Sequence, residues 1–189
     1  MVHLSALSLV ALAAASASAA PAQVPGGKAV KQPSHFTSAF STRAVPGDVI
    51  ASTGSPAPGQ PNAFGHFGFK INSEQDIICW DIRTVNVTGE YQSPAVTATH
   101  IHAGVKGAAG PPRLAFPNPQ FVRTDSTGAE VRESKGCMQG PFTTGVQANG
   151  ADSGTASGFS LSLIENDPSN FFADTHTAQF VAGAVRGQL

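Results

Sequence analysis

The run Ile77-Ile78-Cys79-Trp80-Asp81-Ile82-Arg83-Thr84-Val85 has the strongest β-branched and aromatic character in the chain and reads as a strand. Before it, Ala63-Phe64-Gly65-His66-Phe67-Gly68-Phe69-Lys70-Ile71 alternates, with Phe67, Phe69 and Ile71 on one face and His66 on the other. Asn72-Ser73-Glu74-Gln75-Asp76 between them is a polar turn, so the two runs are expected to form an antiparallel hairpin. Trp80 within it reads as a core anchor, since lone aromatics in strands usually pack.

Outward from the hairpin the same pattern recurs in short pieces. On the N-terminal side Phe36-Thr37-Ser38-Ala39-Phe40 reads as a strand, Pro46-Gly47 as a turn, and Val49 to Gln60 as a connection rich in Pro, Gly and Ser. On the C-terminal side Val96, Ala98, His100 and His102 share a face, followed by a glycine-rich stretch from Gly104 to Pro112. No Gly-Lys-Ser/Thr closes that stretch and no helix pattern follows, so it reads as a flexible loop and not a phosphate cradle. Arg113 to Phe116 is a short apolar piece. Pro117 to Gly158 is dominated by turn residues, interrupted by short strands such as Gln120 to Arg123. Gly158 to Ile164 contains a period-two run, Phe171 to Thr177 reads as a strand, and a last strand runs from Ala182 to Leu189. Many short strands with Gly/Pro-rich turns, and no amphipathic helix or internal repeat, point to an all-β antiparallel sandwich or Greek-key-like barrel.

Composition sets the compartment and excludes one class of partner. Of 189 residues 12% are charged, with Lys plus Arg at 11 and Asp plus Glu at 12, so there is no basic footprint for nucleic acid. Residues 1–19 carry an apolar run from Leu4 to Ala15 followed by Ala17-Ser18-Ala19, the pattern of a cleaved secretory signal peptide. No later stretch is apolar enough to span a membrane, so a secreted, extracellular protein is expected. Residues 20–35 read as a flexible leader carrying Lys28 and Lys31, and 36–189 as one domain. Cys79 and Cys137 are the only cysteines and are expected to form a disulfide, while Asn86-Val87-Thr88 is an N-glycosylation sequon at Asn86.

Two blocks in order, Thr99-His100-Ile101-His102-Ala103-Gly104 and the C-terminal run from Asn166 to Leu189 containing Pro168, Phe172, His176-Thr177, Phe180, Gly183 and Arg186-Gly187-Gln188-Leu189, resemble the CHRD (chordin-type) domain family. The agreement extends over Phe36 to Leu189. The resemblance implies a secreted all-β sandwich whose architecture is similar to that of copper/zinc superoxide dismutases. In chordin itself such domains belong to an extracellular antagonist of growth factors. The chain departs from the family pattern at Asp174, where Asn often stands, and in a longer, more irregular stretch from Pro117 to Gly158.

The two blocks also carry the candidate chemistry. On a strand His100 and His102 face the same way with Cα atoms roughly 6 to 7 Å apart, close enough for both rings to lean onto one ion. Asp174 and His176 have the same spacing, so neighbouring strands would converge three imidazoles and a carboxylate. That donor set suits copper or zinc, whereas calcium and magnesium favour all-oxygen sites. The alternative is that these histidines are hydrogen-bonded fixtures holding loops. His66 and His35 are reserve ligands, and Arg186 is expected to pair with Asp174 or the C-terminal carboxylate, or else to steer a small anion toward a metal. Three functions follow: a secreted metal-binding module, whose copper form would be tested first for superoxide dismutation, a metal-free extracellular interaction or matrix protein, or an enzyme using a pocket of the sandwich without metal. The partner would be an extracellular protein or small molecule.

Overall fold

The hairpin at the centre of the sequence is also the centre of the larger of two sheets. The computed structural model describes residues 23–189, so the signal-peptide reading lies outside the described residues. Strands β1 (Gln23–Val24), β2 (Gly27–Ala29), β3 (Ser38–Ala44), β4 (Phe64–Asn72), β5 (Ile77–Val85), β6 (Thr99–Ala103), β7 (Pro112–Phe116), β8 (Gln120–Thr124) and β9 (Glu130–Gln139) come first. A small hairpin of β10 (Gln147–Ala148) and β11 (Ala151–Asp152), the helix α1 (Leu161–Asn166), β12 (Phe171–Thr175) and β13 (Val185–Gln188) complete the chain. A seven-stranded sheet has the order β1-β2-β9-β5-β4-β3 with β8 also on β9, and a four-stranded sheet has the order β13-β12-β6-β7. All pairings are antiparallel, and the two sheets pack face to face as a sandwich, the all-β class expected.

The core lies between the sheets. Phe67, Phe69, Ile71, Ile78, Trp80 and Ile82 of the larger sheet meet Ile101, Leu114, Phe116, Phe171, Ala173 and Val185 of the smaller one. Trp80 stands 5.4 Å, centroid to centroid, from Phe116 and donates its indole N–H to Ser134 Oγ at 2.9 Å, which satisfies its one buried polar atom. At one edge the sheets are stitched together: Val45 N–H donates to the Arg186 carbonyl (2.8 Å) and Arg186 N–H to the Val45 carbonyl (3.2 Å). Cys79 and Cys137 face each other across β5 and β9 and are disulfide-bonded, as expected.

Three expectations are corrected. Residues 23–29, expected within a flexible leader, form the β1–β2 hairpin, and Lys28 and Ala29 pair with Gln139 and Met138 of β9. Backbone pairing at a sheet end needs no apolar period, so composition did not reveal it. The run Gly158 to Ile164 forms no strand, and its second half opens the α1 helix: Leu161 and Ile164, three apart, are buried, while Leu163 is 44% exposed. The turn-rich segment after Pro117 contains the ten-residue β9. Its core-facing positions include Ser134 and Gly136 because the Trp80 ring fills that space; a Cβ on Gly136 would sit 2.8 Å from the ring. A large residue on one strand thus erases the alternation on its neighbour.

Candidate metal centre

The four-stranded sheet turns Ile101, Ala173 and Val185 inward, so the alternating residues His100, His102, Phe172, Asp174 and Arg186 point to its outer face. Register does the assembly. His100 of β6 lies opposite Asp174 of β12, His102 lies opposite Phe172, and Arg186 of β13 flanks Asp174 on its other side. His176 follows β12 by one residue and is held in line by its N–H donating to the Ala98 carbonyl at 2.8 Å. The sequence-derived set of His100, His102, His176 and Asp174 therefore converges, and one donor atom from each lies within 4.8 Å of the other three.

Loops roof this outer face and bury the cluster. Segment 104–111 closes it on one side, with the Ala103 N–H donating to the Pro111 carbonyl (3.0 Å) and the Gly104 N–H to the Asn170 carbonyl (2.7 Å). The segment expected to be a flexible loop is thus clamped by backbone bonds. Gly110 can approach this closely only as glycine, since a Cβ there would fall 1.7 Å from the Ala103 oxygen.

Each imidazole is anchored by one nitrogen. His100 Nε2 donates to the Thr97 carbonyl (2.7 Å), His102 Nδ1 to the Gly110 carbonyl (2.8 Å) and His176 Nδ1 to the Val181 carbonyl (2.9 Å). A carbonyl only accepts, so these contacts assign the proton to the outer nitrogen and leave the inner nitrogen of a neutral ring with a lone pair. The inner nitrogens His100 Nδ1, His102 Nε2 and His176 Nε2 surround Asp174 Oδ1 at 3.6, 3.2 and 3.1 Å. All four atoms are buried without a hydrogen-bond partner among the described residues. The backbone carbonyls of Thr97, Gly110 and Val181 could not have been picked from the sequence, because every residue carries one.

Charge follows from burial and proximity. Burial pushes the His100 ring down from its usual range and outweighs the pull of Asp174, so it stays neutral. For His176 burial acts downward, but the Asp174 carboxylate beside it prevails and raises it. Burial alone would raise Asp174, yet His102 and His176 hold its carboxyl well below the usual carboxylate range. Even with a proton on His176, the neutral His100 Nδ1 faces a carboxylate oxygen, an arrangement of two acceptors that a proton or a metal ion between them would turn from repulsive to attractive.

The remaining candidates lie elsewhere. His66 is on the exposed outer face of the seven-stranded sheet opposite Arg43 and Arg83, and His35 contacts Asn72 and Glu74. Neither joins the cluster. Arg186 does not form the ion pair expected of it: no carboxylate among the described residues reaches pairing distance, and its guanidinium instead lies over the Phe172 ring, 3.2 Å from the centroid. Phe172 in turn stacks on His102, with centroids 4.8 Å apart and ring planes 7° apart. Asn86, at the end of β5 with φ of 57°, donates its side-chain amide to the Pro61 carbonyl at 3.1 Å. Among the described residues no helix is long and apolar enough to cross a membrane.

Neither a curated protein nor a solved structure matches the chain. A family model described as the CHRD domain matches residues 48–189, a span that takes in both blocks and every residue of the histidine–aspartate cluster, and the chain belongs to the CHRD domain family.

Proposed function

We propose that the protein is an exported CHRD-domain module whose His100, His102, Asp174 and His176 bind one transition-metal ion, zinc in the first instance, and that the ion fastens the loops covering the four-stranded sheet. The observation that carries this reading is a coincidence of two sets: of the six buried side-chain atoms without a hydrogen-bond partner among the described residues, four are the inner ligand atoms of the four clustered residues, and the other two, Arg83 Nε and Thr84 Oγ1, lie apart on β5. A cation among them would satisfy all four at once.

The spacing favours zinc over copper. Bonds of about 2.05 Å in a tetrahedron give ligand–ligand edges of about 3.3 Å, against 3.1 to 3.6 Å from Asp174 Oδ1 to the three nitrogens. A square-planar copper(II) site would put one nitrogen trans to the carboxylate at about 4 Å, and none of the three stands that far. Donor atoms at the 4.8 Å limit must close by about 1.5 Å to reach that tetrahedral edge on binding. Near-complete burial and four protein donors fit a closed, structural ion. The second nitrogen of each ring already holds a carbonyl from a different covering segment, so one ion would tie together the segments of Thr97, Gly110 and Val181.

Export is supported by the disulfide and by the family, and a glycan on Asn86 would leave its side-chain amide one N–H for the bond to the Pro61 carbonyl. A cavity of about 540 Å³ on the outer face of the seven-stranded sheet offers little to a metal-free enzyme, since Asp81 and Lys135 in it are ion-paired at 3.4 Å.

Elemental analysis of the mature protein after anaerobic loading tests the reading, with one zinc per chain expected and sharply weaker binding in His100→Ala and in His176→Ala. Absence of stoichiometric zinc or copper, or undiminished binding in either variant, overturns it in favour of a metal-free interaction protein. Superoxide turnover by a copper-loaded form would move the ion from a structural to a redox role.

A further inference from the structure

Arg186 is 3% exposed and lies between two acidic residues without pairing to either. Nη2 donates to the Ala108 carbonyl, and no other side-chain hydrogen bond of Arg186 is made among the described residues. Beyond it lies a cavity of about 190 Å³, whose wall includes Arg186, Lys106, Gly107, Asp48 and Gln188. This volume is below the ~300 Å³ where sites for drug-sized ligands begin, but it is ample for a single tetrahedral anion. A buried guanidinium without an anionic partner is costly, and its planar fork matches two oxygens of one oxyanion. Lys106 adds a second positive charge at the mouth, and Asp48 is the one acidic residue in the wall.

We propose that the cavity between Arg186 and Lys106 binds a phosphate or sulfate group, either as the free ion or as an ester on a larger molecule. Arg186 holds the anion from the floor, and Phe172 keeps the guanidinium flat and oriented. Lys106 reaches it from the turn of segment 104–111, the stretch whose glycines lack the sequence of a phosphate loop. Here the anion is met by side-chain charge and not by a helix N-terminus. The site does not depend on the metal reading: its residues are distinct from the histidine–aspartate set, and metal-stripped protein is expected to bind the anion too, more weakly because a nearby positive charge has gone.

Calorimetric titration of the mature protein with inorganic phosphate, sodium sulfate and a monosaccharide 6-sulfate tests the site. Arg186→Gln should weaken binding by ~10-fold or more, since a charge-assisted bidentate contact is lost. Lys106→Ala and Asp48→Asn alter exposed residues and leave the fold intact; the first should weaken binding ~3-fold and the second tighten it ~3-fold, in keeping with screened surface charges. This opposition of sign stands even if Arg186→Gln fails to fold. Tighter binding of the ester than of the free ions assigns the group to a larger molecule, and the reverse assigns it to the free ion. No binding of any probe at 10 mM (an upper bound on order of magnitude for a useful site), or an Asp48→Asn variant that does not bind more tightly, overturns the proposal.

Discussion

The two sheets share one core but treat their outer faces differently. The seven-stranded sheet exposes Lys70, Asp81 and Lys135 to solvent around a disulfide, and burial alternates with side-chain direction along most of β4 and from Trp80 to Thr84 of β5. The four-stranded sheet hides its outer face as thoroughly as its inner one: every residue of β12 is buried, including Asp174. One sheet is held by apolar contact and a covalent bond, and the other keeps a polar cluster dry beneath loops. The lesson is that polarity in a strand does not mark solvent. A polar residue on a roofed face is under more constraint than one on an open face, because whatever satisfies it must come from the protein or from a ligand.

If the two faces are stabilised independently, breaking one should leave the other intact. The largest effect belongs to the covalent side. Replacing both Cys79 and Cys137 by Ser opens a loop spanning 58 residues, and should cost about 4 kcal/mol on the chain-entropy model. Urea denaturation should show this loss while zinc stoichiometry of the folded protein remains one; loss of both together would mean the faces are coupled.

Next comes the polar side. Asp174→Asn keeps the shape and removes the charge. Competition against a chelator should show zinc affinity lowered by about 100-fold or more, equivalent to about 2.7 kcal/mol, with little change in the metal-free melting curve beyond that. Acidification should also release the ion, because protons compete for the same lone pairs. A third substitution, Ser134→Ala, removes the acceptor of the Trp80 indole inside the core and should cost about 1 to 3 kcal/mol, read from the denaturation midpoint. It should leave zinc affinity unchanged, which sharpens the separation of core from cluster.

The smallest effect is a pH dependence at a surface tie. Glu165 on α1 accepts hydrogen bonds from Thr37, Ser38 and Ser73; burial raises its carboxyl, but these hydroxyls outweigh burial and lower it. A folded value below the unfolded one gives stability that is fully present above the ordinary Glu range and lost as pH falls through the folded value. Glu165→Gln should therefore flatten the melting temperature against pH below about pH 4.5 and change little at neutrality. An unchanged acid limb would show that the hydroxyl bonds do not persist in solution.

The hairpin of β4 and β5 was legible because β4 alternates over a half-open sheet and β5 is rich in β-branched and aromatic residues, and its tryptophan and cysteine took the places their chemistry predicts. The partner strand β9 was not, since its core positions are Ser134 and Gly136, chosen to fit Trp80 and not to be apolar themselves. The helix α1 was hidden by its length, as period two and period three agree on too many positions in six residues. Of the cluster, the four candidate residues could be listed from spacing alone, while Arg186 was assigned the wrong partner because adjacency in a ladder does not fix where a long side chain ends.

By itself the sequence determined the all-β class, the disulfide, the family and the four side chains of the cluster, because each rests on residue type and local spacing. The tertiary structure alone decided that these four stand on a roofed outer face and not in the core, that carbonyls of Thr97, Gly110 and Val181 turn every inner nitrogen toward Asp174, and that Arg186 opens onto a separate cavity. The physical reason is twofold: a backbone acceptor belongs to every residue alike, so which nearby carbonyl meets each imidazole is set by how the loop folds back and not by residue type, while the meeting of His100 with Asp174 is set by strand register across more than 70 residues, far beyond any local pattern.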